Sequence, residues 1–149
     1  HVLDATALDA WGVEVPDYAR ALAAAFWPGP LTLVVARSER AADFVTGGQD
    51  TVAVRVPSHP MMRAVMRGLG DLAGDPAIGI AAPSANRFGR VSPTTAAHVV
   101  GELADDLADD DVVLDGGARG LVLESSIADC PGRARLVRAP GAWGGAGVG

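Results

Sequence analysis

Residues 78–82, Ile78-Gly79-Ile80-Ala81-Ala82, form a short apolar run that opens directly into Pro83-Ser84-Ala85-Asn86-Arg87-Phe88-Gly89-Arg90-Val91 and then Ser92-Pro93-Thr94-Thr95. A strand, a loop of small hydrogen-bonding residues and a helix start in immediate succession constrain the fold more than any other stretch of the chain. Pro83, Gly89 and Pro93 restrict the loop, and a helix beginning at Ser92-Pro93 presents backbone N–H groups that no earlier carbonyl satisfies. Such a helix start suits an anionic ligand, and open α/β sheets build nucleotide and phosphate sites in this way. The same residues also suit an ordinary strand–helix connection, capped by Ser92 with Pro93 at the first helical position. Both readings stay open on this loop alone.

The rest of the chain alternates helical and strand patterns. Asp17 is placed to cap a helix over 18–26 with Tyr18, Leu22 and Phe26 on one face, and Trp27-Pro28-Gly29-Pro30 must end it. A buried strand is expected over 31–36, a turn over 46–50 and a second strand over 51–56. In that second strand Val52, Val54 and Val56 share one face and Thr51, Ala53 and Arg55 the other. Arg55 there is either an edge charge or an anion ligand. Ser58-His59-Pro60 opens a helix in which Met61, Met62, Val65, Met66 and Leu69 read as core filler, and 70–76 reads as a flexible connection. A helix over 94–107 follows, with Val99, Leu103 and Leu107 in register, then short strands over 112–114, 124–129 and 135–138. The pattern predicts an α/β (α+β) fold, a single domain over 1–141 built on a twisted mixed sheet with flanking helices, and a Gly-rich tail over 142–149.

Composition removes several function classes. The 149 residues carry a net charge of −6 and no lysine, which disfavours an extensive nucleic-acid-binding face. Without lysine there is no P-loop, and neither a G-x-G-x-x-G fingerprint nor a G-x-S-x-G elbow occurs. The histidines, at 1, 59 and 98, lie far apart in sequence, and the acidic run Asp105, Asp106, Asp109, Asp110 and Asp111 reads as a solvated helix end. Every apolar run is interrupted short of a membrane span, the chain opens without a basic-then-apolar leader, and its one cysteine, Cys130, fits a reducing compartment. A cytoplasmic protein with no membrane association is therefore expected.

Several phrases, in order along the chain, resemble one family. They are Phe26-Trp27-Pro28-Gly29-Pro30-Leu31-Thr32-Leu33, Asp50-Thr51-Val52-Ala53-Val54-Arg55-Val56-Pro57, Ala81-Ala82-Pro83-Ser84-Ala85-Asn86, Ser92-Pro93-Thr94, Leu114-Asp115-Gly116-Gly117, Glu124-Ser125-Ser126-Ile127 and Val137-Arg138. Together they resemble the YrdC-like threonylcarbamoyl-AMP synthases. The resemblance implies a twisted sheet around an open cavity. It also implies a reaction that joins L-threonine, bicarbonate and ATP, with Mg²⁺ on the phosphates, into L-threonylcarbamoyl-adenylate and pyrophosphate. The product would pass to a tRNA-modifying partner complex for the t6A modification. No covalent enzyme nucleophile is needed, only positioning, charge neutralisation and exclusion of water.

The resemblance implies ATP contacts at Thr51, Ala82, Asn86, Ser92 and Arg138, and threonine contacts at His1, Arg55, Ser84 and Ser125. Arg55 would pair with the threonine carboxylate, and Ser84, Asn86 and Ser92 would line one pocket with Thr51 and Arg55. Related readings are a carbamoyl-adenylate-forming enzyme and a non-catalytic nucleotide- or RNA-binding module that uses a local patch of Arg55, Arg87, Arg90 and Arg138. The family's domain normally opens with a Lys/Arg-rich phosphate-binding segment ahead of the position matched by His1. Residues 1–149 alone are therefore expected to bind ATP poorly and to make no detectable product, and supplying such a segment is expected to restore both.

Overall fold

At the centre lies a strand whose alternate side chains are fully enclosed. In a computed structural model that describes residues 1–83, 93–117, 126–132 and the backbone of 135–138, β1 (Leu31–Ala36) buries Leu31, Leu33 and Val35 and half-buries the residues between them. β2 (Thr51–Val54) pairs antiparallel with β1, placing Val54 opposite Leu33 and Thr51 opposite Ala36. β3 (Ser126–Asp129) runs parallel to β1 on its other side, and β4 (Arg135–Arg138) closes the sheet antiparallel to β3. The order β2-β1-β3-β4 makes a mixed sheet, and the α/β class expected from the alternating pattern holds.

The helices differ in detail from their sequence signals. Ahead of the sheet stand a 3₁₀ turn (Ala5–Ala7) and the short helix α1 (Leu8–Trp11), which supply Ala7 and Leu8 to the core. In α2 (Asp17–Phe26) the cap residue is Pro16 and Asp17 is the first helical residue, where its charge opposes the positive helix end. The face toward the core is centred on Ala19 and Ala23, with Tyr18 and Leu22 beside them and Phe26 exposed. Small side chains at that spacing let the helix backbone approach the sheet. The Tyr18 hydroxyl donates to the Cys130 carbonyl just past β3, with the Gly132 carbonyl also within 3.2 Å.

Four residues, Asp43–Thr46, form α3, which ends at Gly47 in the left-handed region (φ 64°). The helix α4 (Pro60–Ala73) extends through most of the segment expected to be a loose connection and stops at Gly74, also left-handed. Of its methionines only Met66 is fully buried, while Met61, Val65 and Leu69 lie on an exposed side. The β2 strand ends at Val54 and not at Val56, because the next carbonyls turn elsewhere: Arg55 O accepts from Val2 N (2.9 Å) and Val56 O from Gly29 N (2.9 Å). Residues 78–82 form no strand of their own, only a bridge between Gly79 and Val2.

Residues 1–81, 126–132 and 135–138 belong to one compact unit, and 82–83 and 93–117 belong to another. In the second, α5 (Ala96–Leu103) is shorter than the expected 94–107 and begins later. Its cap is Thr95, whose hydroxyl accepts from His98 N (3.2 Å), so the capping role assigned to Ser92 falls to Thr95. It ends before Asp105-Asp106, acidic residues that a helix C-terminus disfavours. The residues of the expected strand 112–114 are exposed and form none, having no ladder partner among the described residues. No helix among the described residues is long and apolar enough to cross a membrane.

Candidate functional site

Two extended segments converge beyond the end of β2. The backbone N of His1 donates to Ile80 O (2.7 Å) and Ile80 N returns a bond to His1 O (2.9 Å). One residue on, Val2 N donates to Arg55 O, so Arg55 and His1 are held on adjacent strips of backbone. Arg55 itself is clasped from the other side, its Nε donating to Gly29 O (2.9 Å). Gly29 is buried between two prolines, and its N–H and C=O both serve the Arg55-Val56 pair. This is why Trp27-Pro28-Gly29-Pro30 matters to the site. Neither proline can donate, so Gly29 carries that stretch's inward N–H.

The electrostatics follow from this packing. The His1 Nδ1 atom is buried with no hydrogen-bond partner among the described residues. A buried imidazole nitrogen without a partner is costly unless a ligand or water supplies one. A planar guanidinium oriented through Nε, on a strip of backbone bonded to the one that carries His1, suits a carboxylate flanked by a second polar group.

The other expected site residues divide into three groups. Thr51 lies on the Arg55 side of the second strand, but four residues away, which is roughly 13 Å along an extended chain. Ala82 is exposed and belongs to the second unit. Ser84, Asn86, Ser92 and Ser125, and the side chain of Arg138, lie outside the described residues. The acidic run Asp105, Asp106, Asp109, Asp110 and Asp111 is exposed, with Asp111 accepting from Ala108 N at 2.8 Å. Among the described residues no cluster of His, Cys, Asp or Glu has the makings of a metal site. Sequence reasoning gave no role to Gly29 or to the Ile80 carbonyl. The signal for Gly29 was its position between two residues that cannot donate.

Comparison with known proteins places these features in a family. Residues 1–139 match the Sua5/YciO/YrdC family, whose model carries the description "Telomere recombination". The threonylcarbamoyl-AMP synthase of Pyrococcus abyssi is 40% identical over 129 residues, covering 87% of this chain and 35% of its own length. The enzyme of the same name from Bacillus subtilis is 36% identical over 142 residues, or 95% of this chain and 38% of its own length. The crystal structure of P. abyssi Sua5 complexed with L-threonine superposes with a TM-score of 0.78 at 39% identity, covering 95% of this chain and 39% of that one. This chain thus spans well under half the length of these relatives. With matching phrases along nearly all of its length and the same sheet architecture, the chain belongs to the Sua5/YciO/YrdC family.

Proposed function

We propose that this chain takes part in making L-threonylcarbamoyl-adenylate from L-threonine, bicarbonate and ATP with release of pyrophosphate, and that Arg55 and His1 together hold the threonine. The observation that carries this reading is the Arg55 guanidinium, held through Nε by Gly29 O, on a strip of backbone bonded to the one that carries the unpartnered, buried His1 Nδ1. A relative of like fold was crystallised with L-threonine, which supports the choice of amino acid. In this scheme Arg55 neutralises the threonine carboxylate and His1 Nδ1 meets a second polar atom of the substrate. Holding the amino acid by its carboxylate leaves its neutral amine free to attack the bicarbonate carbon, giving a carbamate as a C–O bond breaks and water leaves. The carbamate oxygen then attacks the α-phosphorus of ATP and pyrophosphate leaves, with no bond to the protein at any stage.

Thr51, Ala82, Asn86, Ser92 and Arg138 are the proposed nucleotide contacts, and Ser84 and Ser125 the further threonine contacts. Magnesium enters as part of the substrate, carried on the phosphate oxygens. The adenylate is then consumed by a tRNA-modifying partner complex in the cytoplasm. The test is ATP–pyrophosphate exchange, measured on this chain joined to a family phosphate-binding segment. Label should move from pyrophosphate into ATP only when threonine and bicarbonate are both present. Exchange that ignores threonine would remove the reading.

A further inference from the structure

Trp11 links the sheet to the segment that carries Ile80. Its backbone is pinned to the end of β1: Trp11 O accepts from Ser38 N (2.8 Å), Val13 N donates to Ala36 O (2.9 Å), and Ser38 Oγ donates to Ala10 O (2.6 Å). Its indole Nε1 donates to Ala77 O (2.8 Å). The Arg40 guanidinium lies over the indole, 5.1 Å from the ring centroid, and pairs with Asp75. Asp75 in turn shapes the segment, accepting from Ala77 N through Oδ1 (3.0 Å) and from Ile78 N through its carbonyl (3.1 Å). Arg40 holds the Asp75 carboxyl below its ordinary range, chiefly through their hydrogen bond.

Gly79 completes the contact. A methyl group there would sit 2.6 Å from Trp11 Cζ2 and 3.1 Å from Cε2, so the indole presses directly on the glycine backbone. Gly79 is the residue that bridges to Val2, and Ile80 is the residue that exchanges hydrogen bonds with His1. Two paths therefore run from the sheet to the His1–Arg55 pair. One passes through β2 directly to Arg55. The other passes through Trp11, the 75–80 segment and the His1–Val2 strip. The position of His1 relative to Arg55 is set by the Val2 N–Arg55 O bond on one side and by the second path on the other.

We infer that Trp11, Arg40 and Asp75 form a positioning device that presses Gly79-Ile80 onto His1-Val2 and so sets the spacing between His1 and Arg55. This rests on the proposed threonine site, since the spacing matters only if both residues meet one small ligand. A ligand gripped at two points loses affinity when those points shift by a fraction of an ångström, while the fold tolerates the shift. Arg40 and Asp75 are exposed enough that their pairing alone adds little to stability. A residue acting only on stability would lower the thermal midpoint and leave the affinity of the folded protein unchanged.

The test is isothermal calorimetry with L-threonine, well below the thermal midpoint, on the wild-type chain and on Gly79→Ala, Trp11→Phe and the double variant. Gly79→Ala should weaken threonine binding at least tenfold. Adding Trp11→Phe, which removes the ring atoms that the new methyl meets, should recover much of the loss. Binding by folded Gly79→Ala within twofold of wild type would overturn the inference. If Gly79→Ala does not fold, Trp11→Phe decides alone, since it deletes the bond to Ala77 O without adding volume. It should bind at least threefold more weakly, and unchanged affinity would overturn the proposal. A wild-type chain that binds no threonine would overturn the threonine site itself, and this inference with it, a result distinct from equal binding by wild type and variants.

Discussion

Gly29 shows how one residue without a side chain joins fold and site. Its N–H donates to Val56 O and its carbonyl receives Arg55 Nε, both at 2.9 Å. A methyl there would run into the carbonyl oxygen of Phe26, which is backbone and cannot swing aside. Gly29→Ala should therefore destabilise the chain by about 1–3 kcal/mol, the usual cost of overpacking. Urea denaturation followed by fluorescence would read this, and an unchanged midpoint would mean that the Phe26–Gly29 backbone yields easily. Arg55 has a structural share as well. Its bond to Gly29 O adds about 0.5–1.5 kcal/mol, so an Arg55 variant should lose about that much stability besides its ligand contact.

At the scale of elements, strands with alternating burial were legible and irregular ends were not. The 31–36 strand and the 135–138 strand have the bounds the pattern predicts, and the Val52, Val54 and Val56 face is buried as expected. Leu33 sits at the centre, opposite Val54 on one side and Ala128 on the other, with no exposed surface. Leu33→Ala should cost about 2–5 kcal/mol, whereas Phe44→Ala, at a residue 89% exposed, should stay within about 0.5 kcal/mol. Equal costs in chemical denaturation would contradict the placement of the core. Two of the misread elements were decided by whether a partner distant in sequence was there to pair with them. Residues 78–82 look like a strand but find a ladder partner only in His1-Val2 among the described residues, and 112–113 is β-branched yet lacks a neighbouring strand among them. Thr95 took the capping role from Ser92 although both carry a hydroxyl, because a cap depends on where the helix backbone turns. At the site, Arg55 was legible as a charge on the small-residue side of an apolar strand. The clasp from Gly29 and the register of Ile80 against His1 were not, because both are backbone contacts across long sequence separations.

For the whole molecule, the buried Cys130 thiol and the half-buried Tyr18 phenol make alkaline pH the informative condition. Burial, then Asp129, pushes the Cys130 thiol above its ordinary value of 9.0, and burial, then Cys130 and Asp129, pushes the Tyr18 phenol above 10.0. A group whose folded pKa is raised stabilises fully below its unfolded pKa and loses that contribution as pH rises through the folded value. The thermal midpoint should hold to about pH 8.5 and fall above about pH 9, with a shallower fall in Cys130→Ala. A midpoint that is flat or rising to about pH 10.5 would contradict this sign. The central claim is that Arg55, just past the end of β2, serves an amino-acid carboxylate site with His1, and calorimetry with L-threonine addresses it most directly. The account predicts saturable binding by the wild-type chain and a loss of at least ~2 kcal/mol, about thirtyfold in affinity, in Arg55→Ala. Arg55→Lys should recover only part of that loss, because a lysine cannot make the bidentate pair. Threonine binding of equal strength in wild type and Arg55→Ala would contradict it.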